Sequence, residues 1–202
     1  MRLAFKEWAA VCRALASGRQ DVILRKGGIV EPGGEFRLEQ DEFLLLPTFL
    51  HQSADSLIPE ARDLLVGIDA DRPALDTVVL RHAAKVRAAR RVTRLEELAA
   101  YRRRHVWADA VVAERFHRWK DELYVLEVDV APLPVPLTLP WSESFGGCKS
   151  WVELPGSGGR RGRRHQRTTR APPPEICFST SARVAIEVSP GVVEARAPCA
   201  AP

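Results

Sequence analysis

The chain has 202 residues and a mass of 22.5 kDa; 46% of its residues are hydrophobic and 28% are charged. This length suits one folded domain of ordinary size, and no apolar run reaches the ~20 residues of a membrane-spanning helix. The charged N-terminus argues against a signal peptide, so we expect no export. The four cysteines form no CxxC pair, which argues against a zinc knuckle or a disulfide scaffold and favours a reducing cytoplasm.

Charge is divided unevenly along the chain. Residues 1–154 hold 22 Lys/Arg and 23 Asp/Glu, whereas residues 155–202 hold 8 Arg and 3 Glu. The second segment is rich in Arg, Gly and Pro, a composition that buries too little apolar surface to offset chain entropy. We therefore predict one domain over residues 1–154 and a disordered tail over residues 155–202. This tail either binds RNA or DNA phosphates or is a solvated extension.

The first third of the chain predicts short elements separated by turns. Apolar residues at three- and four-residue spacing predict an amphipathic helix over residues 4–17. Residues 22–24 and 43–48 are typical of short buried strands, and a glycine-containing turn at residues 25–28 follows the first of them. A short helix is expected over residues 59–66, since proline occupies its first turn.

Residues 77–92 alternate between two kinds of side chain. Six of the eight even positions are apolar, and four of the eight odd positions are basic. This pattern predicts a long, bent strand or a hairpin, with a helix as the alternative because alanine is frequent. The basic side chains at the odd positions are Arg81, Lys85, Arg87 and Arg91. They form either a solvated strand face or a surface that contacts phosphates regardless of base sequence.

The remaining segments complete a mixed set of helices and strands. A capping-box pattern at residues 93–96 predicts a helix to about residue 104, and a second helix is expected over residues 108–119. Strands are expected over residues 123–130 and 150–154, with a proline-rich extended connection after residue 130. Residues 182–188 are also consistent with a strand. The predicted class is a single α+β domain with a curved, mainly antiparallel sheet or a small barrel and several flanking helices.

Several enzyme classes are excluded by their motifs. The chain contains no GxxxxGK[ST] loop, no GxGxxG, no HExxH and no GxSxG. Glu35-Phe36-Arg37 is the nearest approach to the ExK-type pair of a metal-dependent nuclease, and Arg is a poor substitute for the catalytic Lys. The sequence therefore assigns neither a metal nor a cofactor.

A first group of candidate site residues lies near two strand ends. Arg25 and Lys26 precede two glycines, and cations beside exposed backbone N–H groups suit an anion such as phosphate. His51 directly follows the predicted strand over residues 43–48 and is a candidate proton donor or acceptor near neutral pH. The alternative is a basic hairpin turn, with a histidine that ties the strand end through hydrogen bonds.

A second group combines aromatic and basic side chains. Its members are Trp107, Arg115, Trp119, Lys149 and Trp151. Such residues suit base stacking or cation–π contact, and the alternative is an aromatic core in which Arg pairs with an acid. Cys148 is either a reactive thiol beside Lys149 or a buried structural thiol, and we expect the second, because a nucleophilic thiol needs a nearby base.

Seven short segments occur in an order that resembles a known protein family. They are Lys6-Glu7-Trp8, residues 24–29, residues 43–48, His51-Gln52, His105-Val106-Trp107, Arg115-Phe116 and residues 147–152. Together, over about residues 3–154, they resemble the bacterial family called domain of unknown function 1802. The family has no established activity. Its suggested loose association with restriction–modification systems implies a link to nucleic acid.

Three functional hypotheses follow. The first is a cytoplasmic nucleic-acid-binding domain, in which Trp107 or Trp151 stacks on a base and cations contact DNA or RNA phosphates. These cations are Arg25, Lys26, Arg81, Lys85, Arg87 and Arg91. The second is an enzyme acting on a phosphorylated or nucleic-acid substrate, with His51 as acid/base and Arg25 and Lys26 holding phosphate. The third is a structural partner protein, so whether the chain is an enzyme stays open.

Overall fold

The chain begins with a strand that leads directly into a helix. The computed structural model describes residues 3–26 and 38–155 and the backbone of residues 185–188. Strand β1 (Leu3–Trp8) is followed by helix α1 (Ala9–Ala16). The prediction of a helix over residues 4–17 is therefore wrong in its first part. The reason is that β1 lies between two other strands, which satisfy its backbone groups while its apolar side chains are buried.

The strands form one mixed sheet. After β1 come β2 (Val22–Arg25), β3 (Glu42–Thr48), β4 (Thr77–Val92), β5 (Leu123–Pro140), β6 (Trp151–Glu153) and β7 (Ala185–Val188). Their order is β2-β5-β4-β3-β1-β6, with β7 paired to β4. The β1–β3 and β4–β7 pairs are parallel, and the other four described pairs are antiparallel. Within the described residues β2 and β6 end this order, so the sheet is open rather than a closed barrel.

Strand β4 confirms the long strand predicted from alternation and shows that the helix alternative is wrong. It pairs with β5, with register shifts between Leu80 and His82 and between Val86 and Ala88. The strand predicted over residues 123–130 is confirmed, but it continues beyond the expected boundary to Pro140. This is possible because some of its prolines lie at residues 133–136, inside one irregularity, where a missing N–H breaks no ladder hydrogen bond.

The helices are short. Helix α2 (Asp109–His117) confirms the helix predicted over residues 108–119. The 3-10 helices in the described part of the chain are Ala54–Ser56, Pro59–Leu65, Ile68–Asp71, Leu95–Tyr101 and Glu143–Phe145. The helix predicted from residue 93 to about residue 104 is present as the 3-10 helix Leu95–Tyr101, but the capping box does not form, because Arg94 precedes the helix and makes no side-chain cap hydrogen bond. No described helix is long and apolar enough to cross a membrane.

Apolar side chains cover both faces of the sheet. Phe5 and Phe43 belong to the larger core with α1 and α2, whereas their neighbours Ala4 and Leu44 belong to a smaller core on the other face. This division follows from the alternation of side chains along a strand. The predicted α+β class with a mainly antiparallel sheet is confirmed. The two glycines of the turn predicted at residues 25–28 and most of the predicted tail lie outside the described residues.

Candidate functional site

A cleft opens where several strand ends meet. It is bordered by the last residues of β1, β2 and β3, the start of β4, the end of α2 and the loop before β6, and its volume is about 910 Å³. The lining includes seven cationic side chains, Lys6, Arg25, Lys26, Arg72, Arg115, Arg118 and Lys149. Among the described residues, the lining contains one carboxylate, that of Glu7. We call this feature the cationic cleft.

Glu7 and Arg25 form the floor of the cationic cleft. The Glu7 side chain is only 2% exposed, and its Oε1 accepts a hydrogen bond of 2.8 Å from the Trp8 backbone N–H. Arg25 Nη1 lies 3.9 Å from Glu7 Oε2, and Arg25 Nη2 donates to the Lys6 carbonyl. The Arg25 guanidinium also lies over the Phe5 ring, 4.5 Å from its centre. Arg25 is therefore held in place, and within the described residues its charge is balanced by a carboxylate at long range.

Arg115 projects from α2 into the same cleft. Its guanidinium carbon lies 3.7 Å from the centre of the Trp107 ring, a cation–π contact. Burial lowers the pKa of Arg115 to about 10; the nearby Glu7 charge raises it and Arg25 lowers it. The side chain is still a cation at neutral pH. Within the described residues, no protein acceptor hydrogen-bonds to this guanidinium. Arg115 is therefore a fixed donor with free hydrogen-bonding capacity.

Two lysines extend the positive charge along the cleft. Lys6 Nζ donates a 2.6 Å hydrogen bond to the Gly147 carbonyl, which ties β1 to the loop before β6. Burial lowers the pKa of Lys6, and the charges of Lys149 and Arg25 lower it further. These cations therefore lie close enough to repel one another. Bringing an anion between them would relieve that repulsion.

Lys26 acts differently, as a support for the wall that follows α2. Its Nζ donates to the carbonyls of Phe116 at 3.1 Å and Glu122 at 2.9 Å, and also to that of Lys120. Burial lowers the pKa of Lys26. The ammonium thus holds the turn over residues 117–122, which carries Trp119, instead of pointing freely into the cleft.

Two residues of the lining have a strained backbone. His51 and Trp119 have φ of 60° and 64°, and they are the non-glycine residues with positive φ in the described part of the chain. Both line the cationic cleft. Left-handed backbone is costly for a bulky side chain, and it is concentrated at functional sites in proteins. The next residue, Gln52, anchors the segment of His51, because its Oε1 accepts a 2.8 Å hydrogen bond from Ala10 N–H in α1.

The family is identified by sequence. A family model for the domain of unknown function DUF1802 matches residues 4–165. The chain belongs to this family. Among curated proteins, no sequence matches the chain.

Solved structures show a distant likeness to this DUF1802 chain. Two mutant forms of ZmASCH from Zymomonas mobilis have TM-scores of 0.46 and sequence identities of 12% and 13%. The alignments cover 75% of this chain and 87% and 88% of those chains. The crystal structure of ASCH from Zymomonas mobilis gives a TM-score of 0.45 at 12% identity, covering 75% of this chain and 86% of that one.

The segments that carry the DUF1802 resemblance converge on the cleft. Six of the seven contribute at least one lining residue. The seventh, His105-Val106-Trp107, places Trp107 beneath the Arg115 guanidinium. The predicted site residues Arg25, Lys26, His51, Arg115 and Lys149 are thus brought together, although they come from both of the groups distinguished in the sequence.

The basic residues of β4 lie elsewhere in the DUF1802 domain and are largely paired with acids. Lys85 Nζ is 3.2 Å from Glu42, and Arg87 lies 3.2 Å from Asp21 and 3.3 Å from Asp129. Arg91 makes two hydrogen bonds to Glu122 Oε2, one of them 2.9 Å long. Arg81 is exposed next to a register shift. These side chains therefore do not form the continuous cationic face expected from the alternation.

The two tryptophans predicted to stack on bases are buried. Trp107 is 1% exposed and supports Arg115, while Trp151 packs in the core, 4.9 Å from Phe5 and 5.1 Å from Phe43. The exposed tryptophans of the cleft are Trp119 and Trp141, and sequence reasoning missed Trp141. Cys148, expected to be buried, is exposed in the cleft lining, so that expectation is wrong.

Proposed function

We propose that this protein binds nucleic acid in the cationic cleft. The observation that carries the proposal is the Arg115 guanidinium, which is fixed on Trp107 and has no protein acceptor in the described residues. A planar guanidinium presents a fork of donors that matches two phosphate oxygens. Arg115 therefore supplies the first phosphate contact.

The distribution of charge favours a ligand with more than one phosphate. Lys6, Arg25 and Lys149 lower the free energy of an anion in the same cleft as Arg115. Arg72 and Arg118 lie farther out and each pair with an acid, Asp69 and Glu114 respectively. A polyanion can follow this run of cations, and its affinity should fall steeply with salt because counterions are released on binding.

The test is a comparison of two arginine variants in the full-length chain. Fluorescence anisotropy of labelled short RNA and DNA measures affinity across a range of salt concentrations. We expect Arg115→Gln to weaken binding at least about tenfold, because the charged hydrogen bonds to one phosphate are lost. Arg103→Gln, an exposed arginine outside the cleft, removes the same charge and should have little effect. Equal affinities of the two variants would contradict the proposal.

The second candidate is an enzyme that acts on a phosphorylated or nucleic-acid substrate with His51 as acid/base. The observation that favours it is the strained backbone of His51 at the edge of the cationic cleft. Asn tolerates left-handed backbone but cannot transfer a proton. His51→Asn should therefore abolish cleavage of a labelled strand while leaving its binding unchanged. If the wild-type protein leaves the strand intact under all conditions, the binding function alone remains.

We also propose the extent of the functional unit, the cellular location and a link to restriction–modification. We place the functional unit in residues 1–154 and the tail in residues 155–202, although the family match extends to residue 165. We also keep the cytoplasmic location and the link to restriction–modification as predictions. Deleting residues 155–202 tests the first of them, because an Arg115-dependent component of binding should survive the deletion.

A further inference from the structure

We propose that the ligand of the cationic cleft is an unpaired nucleic-acid strand whose bases stack on Trp119 and Trp141. This inference rests on the proposed function and deepens it by naming the class of nucleic acid. It is carried by the two tryptophans, which line the same cleft as the cations but come from different walls.

Trp119 is held out of the core by the chain around it. It is 65% exposed, and its φ of 64° is costly for an aromatic residue. The turn that imposes this conformation is tied down on both sides. Lys26 Nζ bonds to the carbonyls of Phe116 and Glu122, and the side chain of Arg118 pairs with Glu114. The Arg118 guanidinium carbon lies over the Trp119 ring, 5.8 Å from its centre, and the rest of this exposed indole is maintained in water at a conformational cost.

Trp141 forms part of another wall, just after β5. Its side chain is 48% exposed, while its backbone N–H donates a 2.7 Å hydrogen bond to the Asp76 carbonyl. That bond fixes the start of the loop that leads to Gly147 and Lys149. Trp141 is thus positioned by backbone, with its indole left open to the cleft.

The cationic cleft combines positive charge with exposed indoles, and this combination favours an unpaired strand over a duplex. In a duplex the faces of the bases are covered by the neighbouring base pairs, so a side chain stacks on them only at the cost of unstacking a base step or flipping a base out. In a single strand every base has a free face, and aromatic side chains beside a positively charged groove are the usual means of binding it. Arg115, Arg25, Lys6 and Lys149 would contact phosphates, and Trp119 and Trp141 would contact bases.

The first experiment uses the full-length wild-type protein and needs no variant. Anisotropy compares a labelled single strand of about 12 nucleotides, a range that suits one such binding surface, with its duplex and with an abasic strand of equal length. We expect the normal strand to bind about tenfold more tightly than either of the others. Ribose and deoxyribose versions of the strand show whether the ligand is RNA or DNA. Equal binding of the normal and the abasic strand would overturn the inference.

The second experiment tests whether Trp119 and Trp141 account for the tighter binding of the normal strand. Trp119→Ala and Trp141→Ala should each weaken single-strand binding about tenfold and leave binding of the abasic strand unchanged. Trp119→Phe should retain most of the affinity, and Val66→Ala, an exposed apolar change outside the cleft, should have no effect. If the alanine variants bind the strand as tightly as the wild type, or if they change only self-association measured by size exclusion, the inference is wrong.

These outcomes separate the inference from the function on which it rests. If binding depends on Arg115 but not on the bases or the tryptophans, the cleft binds nucleic acid through phosphate alone. If no nucleic acid shows Arg115-dependent binding, the proposed function itself fails. Thermal melting of each variant identifies those that lose the fold, and the abasic comparison on the wild type remains decisive in that case.

Discussion

The two basic regions of the molecule, the cationic cleft and the face of β4, differ in how their charge is balanced. On β4, Lys85, Arg87 and Arg91 each lie within 3.3 Å of a carboxylate. In the cleft, Arg115 has no hydrogen-bonding acceptor in the described residues, and the nearest carboxylate to Arg25 is 3.9 Å away. Lys85, Arg87 and Arg91 therefore join parts of the chain within the protein, whereas the charges of Arg115 and Arg25 remain available to an external anion.

The comparison shows that a count of basic residues along the sequence is a poor measure of a binding surface. Residues 81–94 hold six Lys/Arg and no acid. Their partners come from other strands and loops, among them Asp21, Glu42 and Glu122. A cation contributes to ligand binding only if the folded chain does not already neutralise it.

The largest expected effect on the free energy of unfolding comes from breaking the ion pair between Arg91 of β4 and the buried Glu122. Glu122 has a side-chain exposure of 3% and accepts from Arg91, so Glu122→Gln removes one charged partner of Arg91 and of Lys120. We expect the free energy of unfolding to fall by about 2–3 kcal/mol, since breaking a buried pair is costly and Arg91 is partly exposed. Urea denaturation measures this change. Asp55→Asn, which removes an exposed partner of Arg62, should cost less than about 1 kcal/mol.

The next largest expected effect is a pH dependence of the free energy of unfolding, caused by His105. Burial, together with the charges of Arg102 and Arg115, lowers the pKa of His105 to about 4, although Asp109 raises it. Because the unfolded side chain titrates near pH 6.5, the unfolded chain takes up this proton first. The contribution of His105 to stability is therefore complete above about pH 6.5 and is lost as the pH falls towards 4.

Between pH 7 and pH 5 we expect this single group to remove about 2 kcal/mol of stability. His105→Gln should reduce the difference between urea unfolding at pH 7 and at pH 5 by that amount. An unchanged difference in the variant would mean that His105 is not held neutral beside the cationic cleft.

Much of the fold could be predicted because its signals are local. The alternation over residues 77–92 is long enough to identify β4 despite two register shifts. Strand β1 was missed because Phe5 and Trp8 have helical spacing with residues of α1. What makes Leu3–Trp8 a strand is its position between β3 and β6, which are distant in the sequence.

The site could be predicted only in pieces. Arg25, Lys26, His51 and Arg115 are recognisable one by one, because cations and a histidine near strand or helix ends are candidates in any sequence. Their distinct roles are not recognisable, since Lys26 supports a turn while Arg115 faces the cleft. Trp141 follows the proline-rich end of β5, and a single tryptophan after a strand carries no local signal of a binding site.

A smaller effect on stability is expected at Arg115, in the cationic cleft, and it tests whether this cation differs from those of β4. Arg115→Met keeps the contact with Trp107 but removes a charge that burial disfavours. The lost cation–π attraction and the relieved desolvation oppose each other, so we expect the free energy of unfolding to change by less than about 1 kcal/mol. Nucleic-acid affinity should nevertheless fall at least about tenfold. A loss of stability as large as that of Glu122→Gln would place Arg115 among the structural cations.

The smallest effect is expected at Arg81, the exposed member of the β4 face. Arg81→Gln and Lys149→Gln make the same change in net charge, one outside the cationic cleft and one within it. Lys149→Gln should weaken binding of every nucleic-acid sequence and reduce the slope of log affinity against log salt by about 1, because one phosphate contact is lost. Arg81→Gln should leave that slope unchanged and alter stability by less than about 0.5 kcal/mol. If Arg81→Gln lowers the salt slope as much as Lys149→Gln does, nucleic acid also lies along β4, and the separation between the two basic regions no longer holds.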